Sequence, residues 1–402
     1  MSVMEATDLA ARETGDLWAE VKAIRNEQPR RAVELLDVLC ARHPGEYRYT
    51  WCMAEVLGQQ LYLINEATPW LRRAREIGPK DEAQATALRR AELRHAVFVE
   101  EWAGRLDQAI STYHQGVREH AHSFKDIEGW APKINGFGER LYAAAAEPVT
   151  AQQQGIVDEV RARGIAFRHW DDLIGDPALF AELLEVVRTT EDWTVPGKPH
   201  FFKTAIEEEQ TMADPMIRTA LHPSLLGAAN AFYGLYSRLV SANIVQTRID
   251  ASDDRNRRGS EGWHRDPEDR PMFKAFIYLN DVTEVGHGPF QYVPDSRPGG
   301  KYEPLMPRFG RGVYDMTYKT RPDPERADAE IDPADIVTAF GRAGTIFFCD
   351  TSGFHRGGYC TTQDRYMVPC VYQRPASQYP SKLRLEAPQG ASEAVRRAVT
   401  PY

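Results

Sequence analysis

Through residues 1 to about 148 apolar side chains recur at three- and four-residue steps, as in Ala32, Leu35, Leu36 and Leu39, and again in Ala109, Ile110, Tyr113 and Val117. That is the spacing of one buried helical face, so the stretch predicts helix after helix and no strands. A weak repeat lies within it. The segments "AVELLDVLCARHP", "ATPWLRRAREIGP" and "DQAISTYHQGV" each set a small residue before an apolar stripe, with 35 positions from Ala32 to Ala67 and 42 from Ala67 to Ala109. The period is near that of tetratricopeptide arrays but irregular. A plain helical extension without repeat ancestry fits the same pattern. If the repeat holds, a stacked array offers a concave surface for a protein partner or for self-association.

From about Gln152 the pattern changes. "QQQGIVDEVRARGIAFRHWDDLIGDPALFAELLEVVR" predicts a helix, a short strand and a second helix. Beyond Ser241 come the runs "ANIVQTRID", "MFKAFIYLND", "GPFQYV", "GTIFFCD" and "YMVPCVYQR", rich in β-branched and aromatic residues and separated by Gly, Pro, Asp and Asn. Short strands at that density predict a double-sheet barrel or jelly roll. The expected organisation is therefore an α+β chain of two parts, helical over 1–148 and mainly β over 149–402.

Length and composition agree with two folded parts: 402 residues, 27% charged and 42% hydrophobic. A formal net charge of −9 argues against a chain whose main task is to neutralise the phosphates of nucleic acid or of a membrane surface. The first twenty residues carry acids and no apolar core, which is not a secretory pattern, so a cytoplasmic location is expected. Five cysteines (Cys40, Cys52, Cys349, Cys360, Cys370) contain no C-x-x-C pair and are expected to be reduced and mostly buried.

The candidate chemistry begins in "GWHRDPEDR", where His264 precedes Asp266 by two. Along a strand, i and i+2 leave the same face, so both can point into a barrel mouth while Arg265 points away. A His and an Asp so spaced are also common in ordinary polar loops. The segment "FFCDTSGFHRGGY" then supplies His355 just after an apolar strand. Two imidazoles and one carboxylate on one face of an octahedron suit ferrous iron and leave positions open for a co-substrate and dioxygen. Arg365 follows ten positions later and opens a strand. There a planar guanidinium can hold a carboxylate through two parallel hydrogen bonds, which would suit the distal carboxylate of 2-oxoglutarate.

Residues from about Gln152 to Gln373 resemble the phytanoyl-CoA dioxygenase family of Fe(II)/2-oxoglutarate oxygenases, which includes the ectoine hydroxylases. The resemblance is carried by "WHRD", then "FIYLNDVTEVGHGPFQYVPDS", then "GTIFFCDTSGFHRGG", and last by Arg365, in that order. It implies a double-stranded β-helix (jelly-roll, cupin-like) catalytic domain, with His264, Asp266 and His355 on Fe(II), Arg365 on 2-oxoglutarate and O2 as the oxidant. It also makes Gln246, in "IVQTRIDASDD", a residue of the co-substrate or substrate pocket; a glutamine on any half-buried strand would look the same. The activity implied is hydroxylation of a C–H bond in a small molecule, with release of succinate and CO2. The same chemistry on a carrier-bound or macromolecular substrate, recruited by the helical region, is the alternative, and a non-catalytic scaffold is a third reading.

The chain departs from the family pattern at a turn. His287 stands where the family has the asparagine of N-G-P, and Asp295 and Arg297 replace the glycine and histidine of P-G-S-H. Asp266 is retained; its replacement by a small residue is what opens a halide position in related halogenases, so oxygen transfer is expected here. Two loops are placed to choose a substrate. One carries Arg255, Arg257 and Arg258, which suit an anionic group although an ordinary solvated loop fits the same residues somewhat better, and the other, a long insert of the kind that often forms a lid, carries Arg308, Arg311, Tyr314 and Tyr318.

Overall fold

The computed structural model describes residues 9–402 except 10, 62, 103–104, 121–134, 137, 194–200, 204–208, 250–258, 267, 270, 298, 306–320, 378–380, 382 and 401–402. Two compact units emerge, Met1–Ala121 and His122–Tyr402. The residues singled out in the two loops expected to face substrate, Arg255, Arg257, Arg258, Arg308, Arg311, Tyr314 and Tyr318, lie outside the described residues. No helix among the described residues is long and apolar enough to cross a membrane.

The first unit is helical. Its elements are α1 (Thr14–Ile24), α2 (Pro29–Arg42), α3 (Tyr47–Glu55), α4 (Ile64–Ile77), α5 (Glu82–Trp102) and α6 (Leu106–His120), with a single π-helical turn, Val56–Gln60, prolonging α3. The three sequence segments with the small-residue pattern fall on alternate helices, α2, α4 and α6, and Ala32, Ala67 and Ala109 are all buried. The longer second interval holds the 21-residue α5.

The second unit sets helices against sheet. Its helix α7 (Ala151–Arg163) starts at a capping box between Thr150 and Gln153 and stops at Gly164, whose φ of 78° favours glycine. The chain then enters β1 (Ile165–His169), and after α8 (Trp170–Leu173), α9 (Pro177–Thr189) and β2 (Phe201–Lys203) come α10 (Pro215–Ala220) and α11 (Pro223–Tyr233). The remaining strands are β3 (Arg238–Ala242), β4 (Val245–Thr247), β5 (Phe273–Tyr278), β6 (Phe290–Tyr292), β7 (Val337–Ala339), β8 (Thr345–Asp350), β9 (His355–Arg356) and β10 (Arg365–Gln373). They form two antiparallel sheets. The larger runs β1-β8-β5-β10-β4-β2 with β3 also on β10, and the smaller runs β7-β6-β9.

Period-two alternation gives the large sheet two distinct faces. Phe273, Ala275, Ile277, Ile346, Phe348, Val368 and Cys370 pack outward against the helices in one apolar core. Phe276, Tyr278, Phe347, Cys349 and Met367 face the other way and meet Phe290, Tyr292 and Ala339 of the small sheet. The candidate residues His355, Lys274 and Arg365 line this second layer. Pro369 sits inside β10 although proline cannot donate to a ladder. It is tolerated because β10 changes neighbour there: residues 365–367 pair with β4 and 370–373 with β3. All five cysteines are free and buried.

Candidate metal and anion site

His355 begins β9 and pairs with Tyr292, so its ring enters the layer between the sheets, 5.7 Å from the Phe290 ring and stacked on it at 24°. His264 forms an antiparallel bridge with His355, and Asp266 is fixed next to it by its own N–H, which donates to the Thr351 carbonyl at 3.0 Å. The two imidazoles therefore share a face, with ring centroids 4.2 Å apart. Arg265, between the ligand candidates, turns the other way and lies over the Phe354 ring. Trp263 and Arg356 flank the pair on that reverse side, the guanidinium 4.1 Å from the indole centroid.

One ligand atom each from His264, Asp266 and His355 lies within 4.8 Å of the others, a group able to hold a metal ion. His355 Nε2 is 3.4 Å from one Asp266 oxygen, and His264 Nε2 is 4.0 Å from the other. Both rings are oriented from behind. His264 Nδ1 is bonded to the Gly262 carbonyl at 2.9 Å and His355 Nδ1 to that of Gly353 at 3.0 Å. A carbonyl only accepts, so the proton sits on each Nδ1 and each Nε2 lone pair faces the shared space, the tautomer a metal ligand needs. Burial, reinforced by His355, pushes His264 well below the usual imidazole range, so the ring is neutral at neutral pH.

The carboxylate has a partner the sequence did not suggest. Lys274, on the inner face of β5, donates to Asp266 Oδ2 at 2.6 Å. Burial alone would raise the Asp266 carboxyl, but the Lys274 ammonium beside it holds the group well below the usual carboxylate range. Glu268 lies beside the same pair; burial and then the Asp266 charge raise its pKa. Arg321 reaches the Gly262 carbonyl at 3.4 Å, the same oxygen that orients His264.

Arg365 is buried on the same inner face, with Nη2 donating to Thr247 Oγ1 at 3.1 Å and Nη1 to the Gly288 carbonyl. A Cβ at Gly357 would come within 3.2 Å of its guanidinium, so the glycine two positions after His355 lets the cation approach the ligand strand. Its Nε is buried and has no hydrogen-bond partner among the described residues. Such an orphaned charged donor calls for an acceptor.

Of the residues singled out from sequence, His264, Asp266 and His355 converge, and Arg365 lies one glycine away. Gln246 does not join them. Its amide bonds Asp364 and the Tyr366 hydroxyl, at 2.9 and 3.0 Å, on the helix-covered face. The cause is register: Gln246 pairs with Tyr366 while its neighbour Thr247 pairs with Arg365, so Thr247 is the residue that faces inward. His287 is a turn residue whose Nδ1 accepts from the Thr283 N–H, and it lies outside the ligand group. Arg297 bonds the last carbonyls of α7, those of Val160, Arg161 and Ala162. Lys274, Glu268, Thr247 and Arg321 were not anticipated. For Lys274 a signal existed, since a lysine two positions before Phe276 in an otherwise apolar strand shares its face.

No protein-family model matches the chain, and no curated protein matches it. Similar solved structures include the epimerase SnoN in complex with Fe3+, alpha ketoglutarate and nogalamycin RO, at 20% identity and a TM-score of 0.41 over 63% of this chain and 96% of that one. HygX from Streptomyces hygroscopicus, with nickel and 2-oxoglutarate bound, is 16% identical, with a TM-score of 0.40 over 59% of this chain and 91% of its own. The carbocyclase SnoK from nogalamycin biosynthesis is 19% identical, with a TM-score of 0.35 over 56% and 87%.

Proposed function

We propose that this chain is an Fe(II)- and 2-oxoglutarate-dependent oxygenase that hydroxylates a C–H bond of a small molecule, releasing succinate and CO2. One observation carries the reading: two imidazoles with free Nε2 atoms and a carboxylate share a face, and a buried arginine with an unused donor lies beside them. In this reading the facing sheets are a double-stranded β-helix of the phytanoyl-CoA dioxygenase type, and the helical unit is tetratricopeptide-like.

The donor set fits a hard-to-borderline divalent ion, with no thiolate among the ligands. His264, Asp266 and His355 would hold Fe(II) from one side. Bound iron with 2-oxoglutarate supplies oxygen activation coupled to decarboxylation of the keto acid. The chain's own residues do the rest. Gly262 and Gly353 fix the imidazole tautomers through their carbonyls, and Lys274 fixes the carboxylate. Arg365 and Thr247 would take the distal carboxylate, since Arg365 adjoins Gly357, about 7 Å of strand beyond His355. That is a fitting span for a five-carbon diacid. The aromatic wall of Phe276, Tyr278, Phe290 and Phe347 keeps bulk water from this layer.

The test is succinate formation from 2-oxoglutarate by Fe(II)-loaded protein in air, screened against small-molecule substrates. Succinate is expected to require iron and to rise with the right substrate. Iron-independent succinate release, or none with any substrate despite bound iron and 2-oxoglutarate, would overturn the assignment.

A further inference from the structure

A cation stands in the inner wall where a metal centre of two imidazoles and a carboxylate does not require one. Lys274 is largely buried on β5, its side chain 13% exposed, on the face shared with Phe276 and Tyr278, and its ammonium engages Asp266 Oδ2 at 2.6 Å. That oxygen is tied to the wall, and Oδ1 remains free to turn to an ion near His264 Nε2. Glu268 sets a second carboxylate near the same lysine, and its Oε2 is buried without a hydrogen-bond partner among the described residues. Arg365 lies at the other end of the inner face. Lys274 is in register with Val371, whereas Arg365 opens the same strand, β10, opposite Thr247. A fixed cation thus stands toward each end of the ligand group.

We propose, resting on the function read above, that Lys274 sets the charge balance of the centre. It holds Asp266 to one ligating oxygen, loosens the grip on the divalent cation and tightens the grip on the anionic co-substrate. The reasoning is Coulombic. An ammonium one carboxylate away from a dication repels it and attracts a dianion bound beside it, through the same interaction with opposite sign. Inside a buried layer neither effect is screened strongly by salt. A lysine serving only to brace the fold would have a different signature, because its loss would weaken both ligands together.

The experiment is calorimetric titration, without oxygen, of the full chain with Co(II), and then of the Co(II)-loaded protein with 2-oxoglutarate. In Lys274→Met the Co(II) dissociation constant is expected to fall about tenfold and that of 2-oxoglutarate to rise about tenfold, while Lys274→Arg stays near wild type for both. Should the methionine variant fail to fold, Lys274→Gln removes the same charge with a polar side chain and is expected to shift both constants in the same directions. Loss of both affinities, or shifts under twofold in both constants, in whichever variant folds would overturn the proposal. Failure of the underlying reading looks different: wild-type protein would bind no Co(II), or would bind it equally after His264→Ala, and the lysine proposal would fall with it.

Discussion

The two faces of the large sheet are built from the same strands, residue by residue, yet they serve different ends. On the helix-covered face Phe273, Ala275, Ile277, Phe348 and Val368 are wholly buried among apolar neighbours. On the inner face the apolar layer is interrupted by Lys274, Thr247 and Arg365, and the ligand group stands against it. The lesson is that alternation lets one strand supply core and chemistry at once. Large aromatic side chains on both faces keep the polar groups from meeting water.

This separation can be broken at chosen points. The largest effect is expected from His355→Ala or Asp266→Ala, which should cut Fe(II) affinity at least about a hundredfold and abolish succinate formation, while thermal unfolding shows the helix-covered core intact. Phe348→Ala strikes the opposite face, where its ring stacks on that of Phe273 at 5.8 Å. It is expected to cost about 3–5 kcal/mol in denaturant unfolding, with metal affinity of the folded protein unchanged. Arg365→Met should raise the 2-oxoglutarate dissociation constant about 10- to 100-fold, the worth of charge-assisted hydrogen bonds to a carboxylate, and leave metal affinity within about twofold. The smallest effect sharpens the comparison most finely. Thr247→Val should weaken 2-oxoglutarate by roughly fivefold, whereas Gln246→Ala should leave it unchanged and cost about 1 kcal/mol of stability through its lost bonds to Asp364 and Tyr366. Equal effects of those two neighbours on 2-oxoglutarate would mean that the register of β4 is misread.

That pair of residues also shows what the chain's own pattern could convey. His264, Asp266, His355 and Arg365 were legible because each sits at the end of a recognisable run, and their order and spacing restrict where they can meet. The face that Gln246 takes was not legible, because "IVQTR" gives no sign of which neighbour faces inward; that follows from the pairing of Thr247 with Arg365 on a strand over a hundred residues away. Lys274 went unnoticed for a related reason. A lysine in a strand is usually a solvated one, and here Asp266 and Glu268, from a segment that carries no strand pattern, sit against it. The short strands β2, β3 and β7 were also missed, since three to five residues carry too little periodicity to stand out.

The central claim is that His264, Asp266 and His355 grip a single ion. Anaerobic titration of Fe(II) into wild-type protein and His355→Ala, side by side at equal concentration, tests it most directly. One ion per chain in the wild type and none in the variant is the predicted result; equal uptake by both, or none by either, would contradict it.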